Sequence, residues 1–102
     1  MAYNLYLDDE RNPKTDKAWI VVRSYDEAVE YVITNGLPSY VSFDHDLGAQ
    51  KNGYEFAKWL ANEVLYQQED MFEWNVHSAN PVGSDNINKH LTFVSNYIEQ
   101  LG

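Results

Sequence analysis

The sequence predicts an α/β sandwich built on a mostly parallel sheet of about four strands. Three observations predict it: short apolar segments alternate with amphipathic ones, the amphipathic segments repeat apolar residues every three or four positions, and polar loops follow the apolar segments. The chain has 102 residues, which fits a single domain over residues 1–102 with one core. Hydrophobic residues make up 44% of it, a composition typical of globular proteins.

The first half of the chain contains two predicted strands and a helix. Tyr3–Leu7 is aromatic and aliphatic and stops abruptly at a polar loop, whereas Trp19–Arg23 is rich in β-branched residues. The connection between them, residues 8–18, is short and polar, and we expect little helix in it. Ser24 and Glu27 have the spacing of a capping box, so a helix should run to about Thr34 and end at Asn35-Gly36.

The second half repeats the alternation. Tyr40–Phe43 is the third predicted strand, and a helix from about Tyr54 to Gln67 follows a polar loop. Trp74–Val76 is the fourth strand. The segment after it, His77 to Gly83, is predicted to be a loop from its Asn-Pro and Gly content, and the last helix should begin near Asp85. Its apolar stripe is formed by Ile87, Leu91, Val94, Ile98 and Leu101.

Charge and composition exclude several classes of function. The formal net charge is −9, from 16 acidic residues against 7 Lys and Arg, so we expect no extended nucleic-acid binding surface. A phosphate end could still be bound if metal ions supply the positive charge. The chain has no cysteine, which excludes disulfides, thiolate metal sites and a thiol nucleophile. No signal peptide or membrane span is evident, and we expect a cytoplasmic protein that does not bind membranes.

Acidic, imidazole and other polar side chains follow three of the predicted strands. In a parallel sheet the carboxyl ends of the strands share one edge, where ligands bind. Two carboxylates about 4 Å apart repel by roughly 4 kcal/mol at an effective dielectric of 20, so a cluster of acids must take up protons or hold a cation. Oxygen ligands suit Mg²⁺, Mn²⁺ or Ca²⁺, and imidazole shifts the preference towards Mn²⁺, Fe²⁺ or Zn²⁺. The groups concerned are Asp8, Asp9 and Glu10, then Asp44, His45 and Asp46, then His77, Ser78 and Asn80.

The same residues also have plain structural interpretations. The acids after the first strand could form a solvated turn, and His77 could be a buried imidazole bonded to a backbone carbonyl. Arg11 and Arg23 are either surface charges or a phosphate clamp. His90 lies between apolar helix positions, which indicates a structural role. The aromatic residues are mainly expected in core and rim packing, with stacking on a base as the alternative for Tyr54 or Trp19.

Five segments in order resemble the cyclic-phosphate processing receiver-like domain family, a shortened relative of response-regulator receiver domains. They are LYLDDERNP, VVRSYDEAVEYV, SFDHDLG, GYEFAKWL and HSANPVG, and together they span nearly the whole chain. The resemblance implies a receiver-like, flavodoxin-like three-layer sandwich in which the fifth strand is missing. It also implies processing of cyclic phosphate ends, an activity associated with RNA repair, and a small domain of this kind would suit a phage.

The resemblance implies roles for individual residues. Asp8 and Asp9 match the acidic pair that holds a divalent cation in receivers, and Asp44 matches the phosphoacceptor. Ser78 falls near the receiver hydroxyl position. The receiver's phosphate-binding Lys has no counterpart, since Lys89 lies within a helix and is a weak substitute. Further residues are the family's own additions: His45, Asp46, His77 and Asn80.

We therefore expect a metal-dependent phosphoesterase that acts on a 2′,3′-cyclic RNA end or a small cyclic nucleotide. Asp8, Asp9 and Asp44 would hold Mg²⁺ or Mn²⁺, and Asp46 would be either a further ligand or a catalytic residue beside His45. His45 and His77 would be base and acid, in either order. Two alternatives remain open: a non-catalytic module that binds a cyclic nucleotide or a protein partner, and phosphotransfer through Asp44. Predicted substrate contacts are Ser78, Asn80, Arg11 and Arg23, the last two as charged partners of the phosphate.

Overall fold

The computed structural model describes residues 3–14, 17–48 and 51–101. Four parallel strands form one sheet, in which the first strand of the chain lies between the second and the third, and the fourth lies beside the third at an edge. Three helices alternate with the later strands. In chain order the elements are β1 (Asn4–Leu7), β2 (Trp19–Val22), α1 (Tyr25–Asn35), β3 (Tyr40–Phe43), α2 (Gly53–Gln67), β4 (Glu73–Val76) and α3 (Pro81–Leu101).

The strands are in register at their carboxyl ends. Leu7 pairs with Val22 on one side and with Phe43 on the other, and Phe43 pairs with Val76. The residues that follow these positions therefore leave the sheet at one edge. The predicted meeting of the strand ends is confirmed by this register.

The two faces of the sheet differ in what covers them. Leu5, Leu7 and Phe43 are fully buried and belong to the single hydrophobic core, which the apolar faces of α1, α2 and α3 complete. Because successive strand residues point to opposite faces, Tyr6 and Ser42 lie on the other side of the sheet. No described helix covers that side, and its aromatic rings lie outside the core cluster.

The predicted receiver-like α/β class with four parallel strands is confirmed. The sandwich differs from the prediction in one layer: the described residues form one helical layer and the sheet, not two helical layers around it. Crossovers between parallel strands are right-handed, and β2 to β3 and β3 to β4 both advance in the same direction, so their helices cover the same face. Only the β1–β2 connection runs in the opposite direction, and its described residues, 8–14 and 17–18, contain no helix. The described part of the chain also has no fifth strand.

The start of α3 corrects the sequence prediction. The helix begins at Pro81 rather than near Asp85. Asn80 caps it, since its Oδ1 accepts a hydrogen bond from the Gly83 backbone N–H at 3.0 Å. The prediction was wrong because Asn at the N-cap followed by Pro at the first helical position is a signal for a helix start rather than for a loop.

The other helix boundaries agree closely with prediction. The Ser24 side chain accepts from the Glu27 backbone N–H at the start of α1, and Gly36 follows its last residue with a φ of 90°. Asn52 caps α2 in the same way through Glu55. Among the described helices, none combines the length and the apolar character that crossing a bilayer requires.

Candidate functional site

Two carboxylates and an imidazole converge where β1, β3 and β4 end. Asp8, Asp44 and His77 each offer a ligand atom, and these atoms lie within 4.8 Å of one another. Asp8 is 1% exposed and Asp44 is 5% exposed, so both acids are buried. Two buried carboxylates this close need positive charge or protons beside them.

His77 is held from three directions. Its Nδ1 lies 2.7 Å from the Ser42 Oγ, and its Nε2 lies 3.0 Å from Oδ2 of Asp8. Its ring stacks on Tyr6 with a centroid separation of 4.5 Å and an interplanar angle of 7°. The imidazole therefore has a fixed orientation, with one nitrogen aimed at the acids and the other anchored to β3.

Asp8 is stabilised as a carboxylate. Burial alone raises its pKa, but the combined effect of its partners is larger and lowers the pKa below the ordinary value. The backbone N–H groups of Arg11 and Glu10 donate to Oδ1 at 2.8 and 2.9 Å, and His77 and the Arg11 charge act on the same group. Asp8 is thus ionised at neutral pH and offers anionic oxygen atoms at this edge of the sheet.

Arg11 supplies positive charge to both acids. Its Nε lies 2.9 Å from Oδ2 of Asp8, and a terminal guanidinium nitrogen lies 3.5 Å from Oδ1 of Asp44. The Arg11 side chain is 48% exposed, so it approaches the acids from the solvent side. The predicted Arg11 position next to the site is consistent with either charge compensation or phosphate binding.

Arg23 braces the loop after β1. Its guanidinium donates to the backbone carbonyls of Asp8 at 3.2 Å and Arg11 at 2.6 Å, and to the side chain of Asn12. These bonds fix the loop that presents Asp8 and Arg11. In the structure Arg23 is therefore a positioning residue, and its predicted contact with a phosphate stays a prediction.

His45 and Asp46 form a separate pair at the start of α3. Nδ1 of His45 lies 2.8 Å from Oδ1 of Asp46. That hydrogen bond, together with one from Asn80, lowers the pKa of the Asp46 carboxyl. The ring packs against Gly83, where a Cβ atom would lie 2.3 Å from Cγ of His45. His45 lies outside the group formed by Asp8, Asp44 and His77, as does Asp46.

The remaining predicted residues lie in the loops that follow β1 and β4. Ser78 accepts from the Asn80 backbone N–H at 3.1 Å, and Asn80 caps α3 while its Nδ2 donates to Asp46 at 3.4 Å. Both side chains shape the helix start, and their contact with a phosphate stays a prediction. Asp9 is not in the group of three: its Oδ2 lies beside Gly48, only 3.1 Å from where a Cβ would stand.

Sequence reasoning missed the residues that hold the site together. Ser42 is 3% exposed and anchors His77 through a hydrogen bond. Gly53 has no side chain, so the backbone that follows β3 can pass close to it. A Cβ at Gly53 would lie 1.8 Å from the Asp44 carbonyl oxygen. The available signals were a Ser in an apolar strand and a Gly in the first turn of an amphipathic helix.

The three converging residues fit a divalent cation. Two carboxylates and one imidazole are a donor set that Mn²⁺ accepts well and that Mg²⁺ tolerates. The second nitrogen of His77 is already hydrogen-bonded, as is usual for a ligating imidazole. Asp8, Asp44 and His77 are therefore a candidate metal-ligand triad.

Comparisons with known proteins bear on the family and the fold of the chain. No curated protein gives a significant match to the chain. A solved structure described as a yeast Spc42 trimeric coiled-coil fused to another structure matches with a TM-score of 0.57 at 14% identity, over 99% of this chain and 79% of that chain. This similarity concerns the fold alone. The family model of the cyclic-phosphate processing receiver domain matches residues 3–93, so the chain belongs to that family.

Proposed function

We propose that this protein is a metal-dependent phosphoesterase that opens cyclic phosphates, either 2′,3′-cyclic RNA ends or small cyclic nucleotides. The observation that carries the proposal is the convergence of Asp8, Asp44 and His77 within 4.8 Å at the edge of a parallel sheet. These residues would hold a Mg²⁺ or Mn²⁺ ion, which supplies Lewis-acid charge for the phosphoryl oxygens and a bound water of lowered pKa.

The chain's own residues would orient the phosphate and transfer the proton. Arg11 is half-exposed and pairs with both acids, so it can turn its guanidinium to a phosphate once a cation neutralises them. Asp46 holds Nδ1 of His45, which leaves Nε2 as the nitrogen that exchanges a proton with water or with the leaving oxygen. The sequence predicts the same role for His77, but Nε2 of His77 faces Asp8. We therefore favour His45 for proton transfer.

The experiment is hydrolysis of nucleoside 2′,3′-cyclic monophosphates with Mn²⁺ or Mg²⁺, followed by mass analysis of the products. We expect a linear 2′- or 3′-phosphate, formed with metal and abolished by EDTA. Asp44→Asn should remove the activity, and His45→Ala should lower turnover by about 10²–10⁴-fold. His90→Gln is the matched control, since it changes an imidazole on α3 outside the site and should leave turnover unchanged.

A second function is favoured by one observation. Arg11 already offsets part of the negative charge of Asp8 and Asp44, which lessens the need for a metal. A non-catalytic module that retains a cyclic nucleotide would suit such a site. Stoichiometric recovery of intact ligand from the protein, with every metal tested, would support this module and contradict the phosphoesterase.

A further inference from the structure

A cleft on the open face of the sheet adjoins the candidate metal site at His77. It has a volume of about 360 Å³, at the small end of the range for ligand pockets. Tyr6, Trp19 and Tyr40 form its aromatic floor, and His77 is shared between the cleft and the site. Because Tyr6 stacks on His77, the floor of the cleft continues to the ligand nitrogen that faces Asp8.

The rim of the cleft carries positive charge in an acidic protein. Arg11, Lys14 and Lys17 line it, which is three of the seven Lys and Arg residues of a chain with net charge −9. The described residues that line the cleft include no acid. Such a rim attracts an anion, and Arg11 connects it to the carboxylates at the site.

The floor has the chemistry of a base-binding platform. The ring of Trp19 meets those of Tyr6 and Tyr40 edge to face, at centroid separations of 5.6 and 5.8 Å. Lys17 lies above the ring of Tyr40, with its Nζ 4.1 Å from the centroid, so this exposed side chain must swing aside for a base to stack there. The exposed amide of Asn75 adds a donor and an acceptor at the side of this platform. Flat aromatic rings, a cation and one amide are the groups that hold a nucleobase.

A larger cavity elsewhere in the protein does not suit a phosphorylated ligand. It has a volume of about 520 Å³ and lies between the carboxyl-terminal ends of α2 and α3, at the opposite end of the strands from the site. Glu69 and Asp70 are among its lining residues, and its described lining includes no Lys, Arg or His. A phosphorylated ligand would be repelled there.

We propose that the cleft floored by Tyr6, Trp19 and Tyr40 binds the nucleobase of the substrate while its cyclic phosphate lies at Arg11 and His77. This inference rests on the proposed function and narrows its substrate class to a single nucleotide or a terminal nucleotide of RNA. The cleft volume of about 360 Å³ and the net charge of −9 oppose contact with a longer stretch of RNA.

The test compares two ligands that differ only in the base. One is adenosine 2′,3′-cyclic phosphate, and the other is methyl riboside 2′,3′-cyclic phosphate, which has the same phosphate and no base. Binding is measured by calorimetry in EDTA, so that no hydrolysis occurs, for the wild type and for Tyr40→Leu and Asn75→Ala. Tyr66→Leu is the control, since Tyr66 is an 84% exposed tyrosine on α2 away from the cleft.

We expect the adenosine compound to bind about 5- to 150-fold more tightly than the abasic one, the range expected for one stacked base. Tyr40→Leu should remove most of this difference and Tyr66→Leu none of it. Equal affinities for the two ligands in the wild type would overturn the inference without the use of any variant, so a misfolded Tyr40→Leu cannot obscure the result.

The same ligands separate this inference from the proposed function. With Mn²⁺ present, similar KM values for the abasic and adenosine compounds would overturn the inference that the cleft binds the base. The proposed phosphoesterase activity would still stand. Failure to hydrolyse either compound would contradict the phosphoesterase, and the affinities in EDTA would still decide whether the cleft holds a base.

Discussion

Nε2 of His77 lies 3.0 Å from Oδ2 of Asp8, although 69 positions separate the two residues in the sequence. The contact exists because β1 and β4 are parallel to β3, which lies between them, and all three end in register. At this distance the two atoms share a proton or face a common cation, because two lone pairs would repel each other. A metal ion would therefore displace a proton from this pair.

Ser42→Ala should weaken metal binding without unfolding the protein. The Ser42 hydroxyl lies 2.7 Å from Nδ1 of His77 and fixes the ring that presents Nε2. Loss of such a partner typically costs 10–100-fold in metal affinity. Calorimetric titration with Mn²⁺ checks the value, with Ser95→Ala on α3 as the matched control. Equal Mn²⁺ affinity in wild type and Ser42→Ala would remove His77 from the ligand set.

Arg11→Gln should make the protein depend on a divalent cation for its stability. The variant removes the positive charge that lies 2.9 Å from Asp8 and 3.5 Å from Asp44, two buried carboxylates. In EDTA we expect a loss of about 1–3 kcal/mol in the free energy of unfolding, the cost of leaving buried polar groups without their partner. Added Mn²⁺ should then stabilise Arg11→Gln more than it stabilises the wild type.

Urea unfolding with and without Mn²⁺ measures both effects. Lys58→Gln is the control, because Lys58 pairs with Glu55 on the surface of α2 and contributes about 0–1 kcal/mol. If Mn²⁺ stabilises wild type and Arg11→Gln equally, the guanidinium and the cation do not share the two acids, and the metal site is not where we place it.

The sequence alone predicted that groups following β1, β3 and β4 meet, because this depends on strand direction. Its predicted set also included Asp9 and His45, which lie outside the group of Asp8, Asp44 and His77. Each follows an apolar strand, and parallel strands end at one edge. Ser42 was not predicted as the His77 partner, because that contact depends on the pairing of β3 with β4, which no local pattern specifies. The space at Gly53 and Gly83 depends in the same way on how α2 and α3 approach the loop at Asp44 and His45.

The sequence also could not predict which face of the sheet has no helix over it. Alternation in β1 and β3 shows two chemically different faces, but it does not tell which face receives the helices. The resemblance to receivers implied a helical layer on each side. The short polar connection of residues 8–18 was the local evidence against the second layer, and it leaves the aromatic rings of Tyr6, Trp19 and Tyr40 beside the site.

Gly83→Ala should reduce turnover while preserving the fold. A Cβ at this position would lie 2.3 Å from Cγ of His45, so the ring must move, and Ala is a better helix former than Gly by about 1 kcal/mol. If His45 transfers the proton, turnover should fall by about 10²–10⁴-fold, as in His45→Ala. Steady-state hydrolysis together with the imidazole NMR signals of His45 checks the result. Full turnover with a displaced ring would exclude His45 from proton transfer.

Gly53→Ala is the contrasting variant. Its Cβ would meet the Asp44 backbone carbonyl rather than a side chain that can turn. The chain must then shift, and overpacking of this kind typically costs 1–3 kcal/mol. We expect a lower unfolding midpoint together with weaker Mn²⁺ binding, because Asp44 moves with its backbone. A stable Gly53→Ala with normal Mn²⁺ affinity would show that the position of Asp44 tolerates displacement.

His90 should give the protein a stability that declines in mild acid. Its Nε2 is buried without a hydrogen-bond partner among the described residues, and burial, with a smaller contribution from the Lys58 charge, lowers its pKa below the ordinary 6.5. The unfolded chain therefore binds a proton more readily than the folded one. The stability that neutral His90 contributes is fully present above pH 6.5. It is lost as the pH falls from there through the lowered pKa of His90 in the folded state. In His90→Met this loss of stability with falling pH should be absent. Free energies of unfolding at pH 7.5 and 5.5, measured in urea for both proteins, isolate it because the other groups titrate alike in each. An equal loss of stability in wild type and His90→Met would mean that His90 stays as easily protonated in the fold as in the unfolded chain.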